Sequence, residues 1–159
     1  MSDPNELIVP PDTVYITYIR TTPQKVWDAL TQSAFTTQFF FGRSVESTWT
    51  KGAPWRLVMP NGKTDVEGEV LIADPPRKLQ VSWRVDWLEE ARKLEPAIVT
   101  YEIEPVGEVV KLTMTQHNVS PVPRKFVDAG RQGWSLILSS LKSLLETGKP
   151  IVVEMKPPE

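Results

Sequence analysis

Cysteine is missing altogether from this 159-residue chain, and histidine occurs once, as His117. The first absence excludes disulfides, a thiol nucleophile and a zinc–thiolate site. The second leaves too few ring nitrogens for a zinc centre, which normally takes three or four nitrogen, sulfur or carboxylate ligands. Neither sign of charge is in excess: 18 basic residues meet 20 acidic ones, for a net charge of −2. A nucleic-acid or anionic-membrane binder normally carries a basic face, and none is evident. No apolar run approaches the roughly 18 residues that cross a bilayer. The opening MSDPNELIVPPD lacks the basic and apolar regions of a secretory leader. A glycine-rich phosphate loop, a nucleophile elbow and an HExxH motif are all missing, so no cofactor and no metal are expected. A cysteine-free chain suits a reducing cytoplasm.

What is present is a domain with a sizeable core. The chain is 40% hydrophobic and 24% charged, with 15 prolines and 6 tryptophans. The longest helical signal runs from Pro123 to Gly148. There Phe126, Val127, Trp134, Ile137, Leu138, Leu141, Leu144 and Leu145 recur at helical spacing on one stripe. Ser120-Pro121-Val122-Pro123 marks its start, and Gly148 followed by Pro150 its stop. Gly130 and Gly133 each weaken such a helix by about 1 kcal/mol relative to alanine, so a close surface or a bend must offset them.

Ahead of that helix the pattern is mostly β. Thr13–Arg20 alternates as a strand, with Val14, Ile16 and Tyr18 on one face and Tyr15, Thr17 and Ile19 on the other. Thr22 caps a short helix begun by Pro23 and buried through Val26, Trp27, Ala29 and Leu30. A second short helix or turn covers Ser33 to Phe39, and the run Phe39-Phe40-Phe41 is expected to plug the core. Strands are expected at Ser44–Thr48, Pro54–Met59, Thr64–Ala73, Lys78–Asp86, Ala97–Glu104 and Val109–Gln116, with Asn61-Gly62 supplying a hairpin turn. Asp86 to Glu95 breaks the alternation and reads as a short helix or a surface loop.

One dry face and one wet face imply an antiparallel sheet covered on a single side. Only the last helix is long enough to cover it. The expected fold is therefore α+β: a curved seven-stranded antiparallel sheet gripping a long C-terminal helix, with two short helices after the first strand. Residues 1–11 form a flexible lead-in, 12–150 the single domain and 151–159 a tail.

The phrases Thr22-Pro23-Gln24-Lys25-Val26-Trp27-Asp28-Ala29-Leu30 and Gly68-Glu69-Val70-Leu71-Ile72-Ala73-Asp74-Pro75-Pro76-Arg77-Lys78-Leu79 carry a resemblance. It continues through Val81-Ser82-Trp83, Leu112 to His117, Gly133-Trp134 and the closing Leu144-Leu145-Glu146-Thr147-Gly148. Taken in order, they resemble the helix-grip superfamily (START, Bet v 1-like, SRPBCC), and within it the stand-alone, bacterial AHSA1-like branch, named after the activator of Hsp90 ATPase homologue. The resemblance implies an apolar cavity between sheet and helix, and not a reaction. It departs at Thr36–Gly42, where relatives commonly carry a tryptophan and this chain has Phe39, Phe40 and Phe41.

The candidate cavity set is Trp27, Phe39, Trp55, Gly68, Val70, Trp83, Val85, Tyr101, Met114, Phe126, Gly130, Trp134 and Ile137. Gly68, Ala129, Gly130 and Gly133 remove bulk between surfaces that face each other, which favours open space over a filled core. Asp86 beside Trp87 and Arg56 beside Trp55 are candidates to orient a ligand. Asp65, Glu67 and Glu69 alternate along one strand and read better as a charge ladder with Arg84, Glu102 and Lys111 than as an acid–base pair. His117 ends the last strand, where a hydrogen-bonding role fits better than catalysis. The expected function is binding of a small hydrophobic or lipid-like molecule, with no catalytic residue assigned. The alternatives are a chaperone-associated module acting on an Hsp90-type ATPase and a polyketide-cyclase- or hydrolase-like enzyme. Exposed strand edges leave homodimerisation open.

Overall fold

The computed structural model describes residues 3–152. The chain runs β1 (Leu7–Ile8), β2 (Thr13–Ile19), α1 (Pro23–Thr31), α2 (Ser33–Phe39), β3 (Ser44–Ser47), β4 (Pro54–Val58), β5 (Thr64–Asp74) and β6 (Lys78–Val85). It continues with α3 (Glu89–Arg92), β7 (Ala97–Val106), β8 (Val109–His117), β9 (Val122–Pro123) and α4 (Arg124–Thr147). Seven strands form one antiparallel sheet in the order β2-β8-β7-β6-β5-β4-β3. From β3 to β8 each strand pairs with the next, as short hairpin connections dictate. The exception is the first step. β2 and β3 lie at opposite edges, and α1 and α2 carry the chain between them.

Local chemistry explains the elements. Pro23 opens α1, and the Thr22 hydroxyl accepts the backbone N–H of Lys25 at 3.3 Å, satisfying one orphan donor of the first turn. Gly62 takes the left-handed backbone that its turn requires, at φ 86°. Gly148 ends α4 in the same left-handed region, at φ 81°, where a side chain would be strained. The inward row Val66, Val70, Leu79, Val81, Val99, Tyr101, Ile103, Val110, Leu112 and Met114 is buried. Leu138, Leu141 and Leu144 of α4 close on it.

The expected lead-in is the clearest difference. Leu7 and Ile8 pair with Pro123 and Val122, and the carbonyls of Glu6 and Pro4 accept the backbone N–H groups of Arg124 and Lys125 at 2.9 Å each. Pro123 caps α4 without a side-chain hydrogen bond, so the free N–H groups of that first turn need acceptors from elsewhere. The lead-in provides them, and Glu6 adds an ion pair to Arg124 at 3.0 Å. Residues 1–2 of the lead-in and 153–159 of the tail lie outside the described residues. Within the tail, the backbone N–H of Ile151 donates to the Ser140 hydroxyl at 3.0 Å, and that hydroxyl donates to the Ile151 carbonyl at 2.8 Å. Among the described residues no helix is long and apolar enough to cross a membrane.

A pocket under the first half of the long helix

The space between sheet and α4 is filled at one end and open at the other. At the filled end α1 and α2 press Val26, Trp27, Leu30 and Phe39 against Leu138, Leu141 and the strands. At the other end lies a pocket of about 430 Å³. Its helical wall is Phe126, Val127, Ala129, Gly130, Gly133, Trp134 and Ile137; its sheet wall includes Trp83, Val85, Ala97 and Gln116. The turn after α2 contributes Phe40, Phe41 and Arg43, and the segment around α3 contributes Trp87, Leu88, Ala91 and Leu94. The glycines explain the opening. A Cβ placed at Gly130 would meet no atom within 4 Å, so α4 passes the sheet there with nothing to fill the gap.

Six of the thirteen expected cavity residues line this pocket: Trp83, Val85, Phe126, Gly130, Trp134 and Ile137. The other seven do not. Trp27, Val70 and Met114 are buried in the packed core. Phe39, Trp55 and Tyr101 border a separate void of only about 20 Å³. The strand alternation placed Val70, Tyr101 and Met114 on the inward face, and helical spacing turned Trp27 inward, but neither pattern could show where α1 and α2 would cover that face. Gly68 serves packing instead. It pairs with Trp55 across the strands, and the Trp55 indole reaches past it to donate to the Ser82 carbonyl on β6 at 2.9 Å. A Cβ on Gly68 would stand 2.0 Å from that same carbonyl oxygen.

An aromatic chain joins the two ends. Trp49, Trp55, Trp83 and Trp134 follow one another with ring centroids 6.5, 5.1 and 5.0 Å apart. Phe40 meets Trp134 edge-on at 5.9 Å, and Tyr101 meets it at 6.2 Å. Such offset and edge contacts are favourable beyond the area they bury. Burial pushes the Tyr101 phenol above its ordinary pKa, which keeps the ring neutral within the apolar stack.

The polar groups at the pocket are few and placed. Arg43 donates from Nε to Asp65 at 2.9 Å and from Nη1 to the Phe41 carbonyl at 2.7 Å. This pair holds a turn in which Phe41 adopts φ 50° and Gly42 φ 75°, a left-handed backbone costly for phenylalanine. The Trp134 indole N–H donates to the Gln116 carbonyl oxygen at 2.7 Å. Tyr15 donates to the Arg131 carbonyl at 2.7 Å and pins β2 to α4; burial raises its pKa, with the Arg131 charge opposing.

The other candidates fall elsewhere. Arg56 is exposed and pairs with Glu46 at 2.9 Å, and neither it nor Asp86 borders the pocket, although Trp87 does. The charge ladder forms in part: Glu67 pairs with Arg84 and Glu102 with Lys78, whereas Asp65 is buried against Arg43. His117 is exposed at the end of β8, with Nδ1 2.6 Å from an Asp12 carboxylate oxygen. Among the described residues no group of three or more His, Asp or Glu side chains is placed to hold a metal ion. The α3 wall was missed, though its signal was present: Trp87, Leu88, Ala91 and Leu94 stand at helical spacing within DWLEEARKLE.

A seven-stranded antiparallel sheet closed on a long C-terminal helix, with two short helices after its first main strand, defines the helix-grip class. Within that class, a family model described as "Activator of Hsp90 ATPase homolog 1-like protein" matches residues 20–146. The chain belongs to that family. Solved structures agree in fold. The Aha1 dimer of Colwellia psychrerythraea is 18% identical, with a TM-score of 0.71 over 88% of this chain and 99% of that one. An Hsp90 activator of Plasmodium falciparum is 20% identical, with a TM-score of 0.68 over 84% and 95%. DynU16, described as a protein of the dynemicin biosynthetic locus, is 22% identical, with a TM-score of 0.72 over 87% of this chain and 48% of its own. No curated protein matches the chain in sequence.

Proposed function

We propose that this domain binds a small apolar molecule in the pocket beneath the N-terminal half of α4. The observation that carries the reading is the pocket itself. Its volume of about 430 Å³ falls in the range of about 300–1,000 Å³ usual for small-molecule sites. Its walls are aromatic and aliphatic, with a few fixed polar groups, which is the composition such sites favour. No catalytic residue is assigned. Nearby, the buried Asp65 carboxylate is bonded to the half-buried Arg43, which leaves it engaged and not free as a base. The cytoplasm is the proposed setting, on composition alone. The test is a titration with fatty acids and polyphenols, followed through the indole N–H resonances of Trp83 and Trp134. Saturable shifts at both support the reading; silence at both across the panel overturns it.

A second reading is a chaperone-associated module, favoured by the family and by the Plasmodium relative, an Hsp90 activator. One surface feature suits it. Val14, Ile16 and Tyr18 stand about half exposed in a row on edge strand β2, available to a partner chain or to a second copy. Capture of an Hsp90-type ATPase from the host lysate, lost in Ile16→Lys, supports it; no capture by the wild-type protein counts against it.

A further inference from the structure

We propose that the pocket selects an uncharged, flat ligand bearing a carbonyl oxygen, and that the side-chain amide of Gln116 is the donor that recognises it. This rests on the pocket being a ligand site and narrows that site to a chemical class.

The indole of Trp134 sets the orientation of the Gln116 amide. An indole N–H can only donate, and it does so to Gln116 Oε1 at 2.7 Å. The orientation of the amide is thereby fixed: its oxygen is committed to Trp134, and its NH₂ group points the other way. Gln116 is half-buried and borders the pocket, and its NH₂ makes no hydrogen bond to another described residue. A donor held on an apolar wall is worth most to a ligand that brings an acceptor. The lining sets the rest of the ligand. Phe40, Phe41, Trp83, Trp87, Phe126 and Trp134 all line the pocket, and so many aromatic rings around one space favour a planar aromatic body.

Charge argues against an anion. Two of the arginines that line the pocket have acidic partners, Arg43 in Asp65 and Arg84 in Glu67; Arg84 Nε is a buried donor with no hydrogen-bond partner, but the Glu67 carboxylate already offsets the charge it carries. Only Arg131 borders the pocket without an acidic partner among the described residues, and it is exposed, where water screens a single contact.

The test uses a matched pair of probes: 9-fluorenone, and fluorene, which has the same tricyclic shape without the oxygen. Binding is followed by tryptophan fluorescence and by the Trp134 indole resonance. The wild-type protein should bind fluorenone about tenfold more tightly than fluorene, the effect of one hydrogen bond. Gln116→Glu keeps an acceptor for Trp134 but removes the NH₂ donor; it should lose that preference while holding its affinity for fluorene. Equal binding of both probes by the wild-type protein, or a preference that survives Gln116→Glu, overturns the role of Gln116 and leaves the pocket reading intact. Tighter binding of fluorene-2-carboxylate than of fluorenone, abolished in Arg131→Gln, overturns it in favour of an anion site. Binding of none of the three removes the pocket reading and this inference together.

Discussion

The two halves of α4 turn an apolar stripe to the same sheet, yet one half packs and the other stands off. From Leu138 to Leu144 the helix closes on strands and on α1 with no space left. From Phe126 to Ile137 it bounds a pocket of about 430 Å³. Two causes distinguish them. Small residues at 129, 130 and 133 withdraw bulk from the first half, and α1 and α2 cover only the second. The comparison teaches that an apolar inward stripe states what avoids water, and not what it touches.

Four substitutions break or sharpen that contrast. Leu141→Ala, at a fully buried position in the packed half, should cost about 2–5 kcal/mol in urea unfolding, while binding of an apolar probe by the folded fraction is unchanged. Gly68→Ala should come next, destabilising by about 3 kcal/mol, because the new Cβ would meet backbone at 2.0 Å and the Trp55–Ser82 contact would have to give way; the lost indole bond would show in the Trp55 N–H resonance. Gly130→Ala should do the opposite and stabilise by roughly 1 kcal/mol, since its Cβ enters open space. Gly130→Leu should carry that side chain into the pocket and weaken probe binding at least tenfold, while the urea midpoint rises as in Gly130→Ala, because leucine and alanine have similar helix propensity.

The smallest effect is electrostatic. Glu146 accepts from the backbone N–H of Arg20 at 2.8 Å and from Lys142 at 2.9 Å, and these hydrogen bonds, the Arg20 one first, hold its pKa below the usual glutamate value. A depressed folded pKa contributes stability that is full above the unfolded pKa and is lost as pH falls through the folded one. Glu146→Gln should therefore lower the urea midpoint slightly at pH 7 and not at all at the acid end of the profile.

Much of this fold was legible residue by residue. Thr22-Pro23, Asn61-Gly62 and Gly148 fix their caps and turns through local backbone chemistry, and the strands from Ser44 to His117 follow an alternation that a two-residue period makes plain. The site was legible in part. Gly130 and Gly133 pointed to open space beneath α4, and Trp83, Phe126 and Trp134 were placed beside it. Trp27, Trp55 and Met114 read the same way, because inward-facing residues look alike whether they meet a neighbour or a void.

By itself, then, the sequence determined which faces are dry, the order of the main strands and helices with their caps and turns, and that one long helix must cover one sheet. Those follow from short-range backbone preferences and from periodicity. Only the tertiary structure decided which half of the helix would be sealed, that the Glu6 and Pro4 carbonyls would cap it, that Arg43 and Asp65 would meet across 22 residues, and that Gln116 would turn its oxygen to Trp134. Each of these depends on distances between segments far apart in the chain, and those are set by how whole elements fit together.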